Sequence, residues 1–388
     1  MVNTIVRTIW LIPVFLLCAG SVVAQQTDVV ELQDGSTRSG VVQGYSVSQY
    51  VFKTNQGNVQ VPRERVINIR YWDVTKPLGR LEKAFQNRRY ERAAQFGETV
   101  RQQIDNGDLR TIHLPRVLYF LATSHFRQGN LDRAVELAKE GLQEPGHLWF
   151  DRLVRIRLLG RTFQVYNPEE EVTGDAYESI SELGNELITV AKENTNASEE
   201  TVDYIRLLRL QALEELGEGK LPITRVRYEN MQELSDPVLE QRRFLGQRRS
   251  LIRQRKNLQQ VVNDFEERLQ QDNGTGSTVL QSGKAFAEGV QQFQQWLEQE
   301  DDSGLAQGAI SSLVSSQVIY DTGSERYTIQ HRQTLLHTME LYQEIAKRSS
   351  NESRKTFFST QAQNVHDELV ARYPGSPEAR KASTFIEN

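Results

Sequence analysis

The sequence predicts a mainly α-helical array of hairpins preceded by a small all-β, barrel-like module. Three observations carry that expectation. Residues 28–73 are short runs of β-branched and aromatic residues between turn signals. From Leu78 onward the apolar period becomes helical. Within Arg116–Gly146, two amphipathic runs are separated by Gly129-Asn130 and carry small Ala residues on facing sides, as an antiparallel helix pair requires.

The β segment is read first. Val29-Val30 and Leu32 precede the hairpin signal Asp34-Gly35; Val41–Tyr45 and Tyr50–Phe52 follow. A turn at Asn55–Asn58 leads to Val59–Val61, Pro62 stops that strand, and Val66–Tyr71 gives a fifth. Five short strands of this kind make a small, nearly closed sheet. The ending VPRERVINI resembles small SH3-like or Sm-like barrels. Such a module either caps the first helix of the array or binds a ligand, since fold does not fix function. Tyr45, Tyr50, Tyr71 and Trp72 suit a peptide groove, although aromatics in so small a barrel generally fill its core.

The helical body begins after Thr75-Lys76-Pro77 and is divided into 78–220, 221–272 and 284–388. In its clearest hairpin Leu118, Leu121 and Ala122 recur at helical spacing before Gly129. Leu131, Ala134, Ala138 and Leu142 resume the pattern until Pro145-Gly146. This resembles a tetratricopeptide repeat, a family of helical hairpins that hold other proteins. An earlier copy, Ala84-Phe85, Tyr90, Ala93 and Gly97, aligns 41 residues before His125-Phe126, Leu131, Ala134 and Ala138. Against the usual period of about 34 residues, an insertion is expected around Asp105–Asp108. Helices are further expected at Leu148–Val165, Gly174–Ala191 and Ser198–Leu216. Asp236-Pro237 is a helix start, with Asp as cap and Pro in the first turn. The helix running from it to Gln271 bears Phe244, Leu251, Leu258 and Phe265, a stripe that must pack on another helix. Its run of Arg242, Arg243, Arg248, Arg249, Arg253, Arg255 and Lys256 reads as a solvated face. Residues 273–283, rich in Gly, Ser and Thr, read as a linker. Ala285–Gln299, Leu305–Ile319, Thr334–Lys347 and Arg354–Arg372 look helical. The ending Tyr373-Pro374-Gly375-Ser376-Pro377 resembles a repeat boundary in envelope proteins of the tetratricopeptide class, including outer-membrane assembly subunits.

Residues 1–24 combine Arg7, the apolar run Ile9–Leu17 and small or medium residues at Val22 and Ala24, the pattern of a signal peptide cleaved after Ala24. Leu17 is too large for the lipobox position before Cys18, so lipid attachment is disfavoured. An exported, periplasmic or envelope-associated bacterial protein is expected. Cleavage would remove Cys18, the one cysteine, and with it disulfide and thiol chemistry. A hydrophobic content of 38%, mean hydropathy of −0.55, net charge of −5 and pI near 5.8 suit an elongated helical array. They argue against a nucleic-acid partner.

No catalytic constellation stands out. The six histidines show no zinc-ligand spacing, and GxSxG, P-loop and GxGxxG patterns are lacking. No catalytic residue, cofactor or metal is therefore expected. The tetratricopeptide resemblance implies that the first helix of the hairpin lines a concave groove, which makes Arg116, Tyr119, Phe120, Thr123, Phe126 and Arg127 the candidate protein-binding residues. Repeats of this family that clamp a C-terminal carboxylate use Lys and Asn where Tyr119 and Thr123 stand, so a different peptide mode is implied. The expected function is a non-enzymatic scaffold or adaptor in a cell-envelope assembly, with a protein partner. Two alternatives stay open: a structural homo-oligomer through the Phe244–Leu269 helix, and an exported hydrolase or polysaccharide-binding protein with a site between module and helices.

Overall fold

The computed structural model describes residues 27–46, 49–143, 146–167, 174–193, 199–216, 227–234, 236–271, 277–299, 303–320 and 328–387. The leader-like segment with Cys18 lies outside the described residues, as do Pro145, Glu169–Glu171, Asp301-Asp302, Asn196 and Asn273.

Five antiparallel strands open the chain: β1 (Asp28–Leu32), β2 (Thr37–Tyr45), β3 (Gln49–Thr54), β4 (Gly57–Pro62) and β5 (Val66–Arg70). Their order is β4-β3-β2-β1-β5, with a bulge in β2 between Val42 and Gly44. Gly35 supplies the positive φ of the first turn, and Asp34 accepts a hydrogen bond from the Ser36 amide at 2.9 Å. Alternation places Val30, Leu32, Val42, Tyr50, Phe52, Val61, Val66 and Ile69 in one core. Of the four aromatics noted in the sequence, Tyr50 is core, Tyr45 and Tyr71 pack half-buried against it, and Trp72 is exposed.

Two helical hairpins follow, α1 (Lys76–Gln86) with α2 (Tyr90–Asp105) and α3 (Leu114–Arg127) with α4 (Leu131–Gly141). Then come α5 (Phe150–Val165), α6 (Gly174–Glu193) and α7 (Glu199–Glu215). Close approach explains the small residues: a Cβ at Gly97 would meet Leu121 Cδ2 at 2.6 Å, and one at Gly160 would meet Val135 Cγ2 at 2.6 Å. Ala93, Ala134 and Ala138 are fully buried at the same crossings. A single core extends from Leu78 to Leu216. The irregular repeat spacing is absorbed by α2, 16 residues against 11 for α4, and by a 3₁₀ turn at Thr111–His113.

The second half comprises α8 (Pro237–Arg253), α9 (Leu258–Gln271), α10 (Ser277–Glu298), α11 (Ser303–Tyr320), α12 (Thr328–Arg348), α13 (Glu352–Arg372) and α14 (Pro377–Glu387). Asp236 caps α8 through the Leu239 amide at 2.7 Å. Three expectations are corrected here. The helix expected to reach Gln271 is broken after Arg253, where Arg255 and Asn257 adopt positive φ. Residues 277–283, expected in a linker, are the first turns of α10. Gly283 is small there because the Phe265 ring lies where its Cβ would be, 2.5 Å from Cε1.

The third correction concerns the basic face, which is paired rather than solvated. Arg249 makes a buried ion pair with Glu214 at 2.6 Å, Arg248 with Asp264 at 2.9 Å, Arg243 with Glu240 at 2.6 Å, and Arg255 with Glu340 at 3.3 Å. The apolar stripe is likewise covered within the chain. Leu245, Ile252, Leu258, Val262 and Phe265 share a core with residues of α10, α11 and α12, while Phe244, Leu251 and Leu269 pack at its margin.

The sheet is locked to the helices by Arg110, in the segment that follows the lengthened α2. Its guanidinium donates to Asp28 Oδ1 at 2.9 Å and Oδ2 at 3.1 Å, and to Asp73 Oδ1 at 2.6 Å and Oδ2 at 2.8 Å. Asp28 is fully buried and also accepts the amides of Val42 and Trp72. His113 Nε2 lies 2.9 Å from Asp73, and burial pushes its pKa down. A second tie runs from the Leu148 amide to the Tyr50 hydroxyl at 3.0 Å. Removing one partner of a buried ion pair leaves an uncompensated charge. Arg110→Ala should therefore lower the unfolding free energy by about 3–5 kcal/mol in urea titrations followed by circular dichroism. A loss below ~1 kcal/mol, the range of exposed pairs, would show that the junction is solvated.

Candidate functional site

The residues expected to line one groove fall in the structure into two groups. In the first, nearer the sheet, Tyr119 stacks on Trp149 with centroids 5.0 Å apart and planes at 20°. Phe120 lies 4.6 Å from Phe85 and 5.6 Å from Trp149. Arg116 sits over Phe120 and Trp149 at 5.7 and 5.8 Å, and its Nη2 is 2.9 Å from Glu82 Oε1. Arg152 covers Tyr119 and Trp149 at 5.3 and 4.8 Å. Tyr119 and Phe120 are buried, whereas Phe85, Tyr90 and Trp149 keep partial exposure and Arg152 is exposed. This is an aromatic platform with guanidiniums at its edge.

The second group is filled in from within the chain. Phe126 stacks on Phe163 at 5.2 Å, and Arg127 sits over the Tyr373 ring at 5.9 Å. Thr123 is buried beside them. Pro374 lies against the Gly129 turn, 3.3 Å from the position of a Cβ there. Arg155 donates to Thr328 at 2.9 Å, and Arg380 to the Tyr166 carbonyl. What remains between α3, α5 and the C-terminal helices is a cavity of about 30 Å³.

Arg332 anchors this closure. Its guanidinium is 2.8 Å from Glu215 and 3.1 Å from Glu378, and it rests 5.0 Å from the Phe163 centroid. All three charged side chains are at most 3% exposed. Several of their atoms lack an aligned hydrogen bond, so charge attraction holds the cluster. Beside it, His331 Nδ1 is 2.8 Å from the Tyr373 hydroxyl.

Residues 77–153 match the prolyl 4-hydroxylase peptide-substrate-binding domain. The segment is similar to a tetratricopeptide-type binding domain. It contains α1 to α4, the start of α5 and all six residues singled out from the sequence, as well as Trp149 and Arg152. No curated protein matches the chain. The matched description is that of a binding part, not a catalytic one. Among the described residues no group of three or more His, Cys, Asp or Glu is placed to hold a metal ion. Sequence reading missed Trp149, Arg152, Arg332 and Tyr373. Trp149 opens the helix after the hairpin and was reachable as the aromatic one turn before Leu153. Arg152 lies one turn after Trp149 on the same helix, whereas Arg332 and Tyr373 matter only through contacts distant in sequence.

The Glu215 carboxyl is pushed up to about 7 by burial, with Arg332 opposing and Glu378 reinforcing the shift. A raised carboxyl keeps a proton in the folded chain that the unfolded chain releases above pH about 4.5. Its contribution to stability is thus present at low pH and is lost as pH rises through that window to about 7. Glu215→Gln removes this term. Melting temperatures across the window should fall less steeply with pH in the variant than in the parent; parallel profiles would show that Glu215 titrates normally.

Proposed function

We propose that this chain is a non-enzymatic interaction scaffold that binds a partner peptide or helix on the sheet-proximal half of its concave face. The carrying observation is a coincidence of place. The segment similar to a peptide-substrate-binding domain is the one that forms the platform of Phe85, Tyr119, Phe120 and Trp149. Rigid aromatic surface with cations at its rim is what a peptide anchor needs, because rings give large contact area at low entropic cost. Residues 1–24 support an exported, cell-envelope setting for that role.

Self-association through the Phe244–Leu269 stripe is disfavoured, since this surface is covered by α10, α11 and α12. The half of the face holding Phe126 and Arg127 acts as internal structure rather than as part of the docking surface.

Selection of displayed random peptides on the immobilised chain tests this reading. Peptides of a common pattern should be enriched, and Trp149→Ala should weaken them by about 30-fold, the loss of one aromatic anchor of ~2 kcal/mol. Trp72→Ala, on the opposite side of the Arg110 junction, should leave them unchanged. An absence of enrichment, or enriched peptides indifferent to Trp149→Ala, would overturn it.

A further inference from the structure

The sheet-proximal group of aromatics is edged by more guanidiniums than described carboxylates. Arg152 lies over the Tyr119 and Trp149 rings, and among the described residues no carboxylate is at ion-pair distance from it. Arg63, in the turn between β4 and β5, likewise has no ion pair among the described residues, and it bears electrostatically on Asp151, as Arg152 does. Arg116 has one carboxylate, Glu82, and its Nε is buried without a hydrogen-bond partner. Glu82 and Asp151 are the described acidic groups facing these three cations, and burial pushes the pKa of both up. The site is therefore locally cationic on a chain whose formal net charge is −5.

Stacking fixes the orientation of these groups. A guanidinium lying on a ring keeps its N–H edge directed outward, in the fork geometry that matches a carboxylate. Beside that edge, Phe85, Tyr90 and Trp149 present half-buried ring surface. A ligand that satisfies both features needs an anionic group and an apolar group close together.

We propose that this surface takes a linear peptide in which an acidic side chain stands beside an aromatic or aliphatic one. The carboxylate meets the edges of Arg152 and Arg116, and the apolar side chain lies against Trp149 and Phe85. The proposal rests on the peptide-binding reading above and adds the chemical class of the ligand.

Calorimetric titration of the full chain with three unlabelled peptides tests it: Gly-Ser-Asp-Glu-Phe-Asp-Ser-Gly, the counterpart with Asn and Gln for the acids, and a counterpart with Lys. The acidic peptide should bind at least about tenfold more tightly than the amide one, and added salt should shrink that ratio. Arg152→Gln, a change at an exposed side chain that leaves the core intact, should remove most of the preference and spare the amide peptide. Equal affinity for the acidic and amide peptides would overturn the acidic class while leaving peptide binding in place. Failure of all three to bind at millimolar concentration would overturn the proposal, and with an empty display selection it would overturn peptide binding too. Tighter binding of a single-stranded oligonucleotide than of the acidic peptide would show that the cations serve a phosphate backbone instead.

Discussion

A single guanidinium, that of Arg332, joins three helices drawn from both halves of this chain. It reaches from α12 to Glu215 at the end of α7 and to Glu378 at the start of α14. A buried charge of this kind is costly to desolvate and tolerable only when opposite charges meet it. The C-terminal helices therefore cannot drift from the first half of the chain without exposing or stranding three charges. The same logic recurs at Arg110, which ties sheet to helices, and at Arg249, which ties α8 to α7. With one cysteine in the chain, no intrachain disulfide can share this task. Paired guanidiniums join these elements alongside the apolar clusters between them.

Closure has a functional consequence. Phe126 and Arg127, which the repeat resemblance places in a ligand groove, instead meet Phe163 and Tyr373. Beside the sheet, Arg152 is exposed and Trp149 half-buried, and that end is where the proposed recognition falls. The sheet is part of that architecture. Its docking through Arg110 and Tyr50 sets the place of Arg63 and of the Leu148-Trp149 segment.

Local chemistry was legible in the sequence. All five strands follow from alternation and turn residues, and the α3–α4 hairpin follows from helical period, the Gly129 break and the small residues at its crossing. The failures share a physical cause. The break at Gln254–Asn257 contains no Gly or Pro; Arg255 and Asn257 take positive φ there, and of the two only Asn is a residue that commonly does so. Gly283 read as linker because a glycine needed for contact with Phe265 looks the same as one needed for flexibility. The arginines of α8 looked solvated because the partner of Arg249, Glu214, lies 35 positions earlier. Of the candidate site, the aromatic and basic residues of α3 were named from the repeat pattern. Their division into open and filled halves was invisible, because the filling segment comes from the opposite end of the chain.

The contact between the Gly129 turn and Pro374 gives the most direct test of that internal filling. A Cβ at Gly129, which would sit on strained backbone at φ +77°, lies 3.3 Å from Pro374 Cβ, close to the roughly 3.5–4.5 Å that a disulfide spans. The measurement is the extent of intramolecular disulfide formation in Gly129→Cys/Pro374→Cys, with Cys18→Ser to remove the native thiol. Near-complete crosslinking in dilute solution, with helical content unchanged, is the predicted result. A chain that stays reduced under oxidant while remaining folded would mean that the C-terminal helices stand away from the concave face, and the whole groove would then be open to a partner.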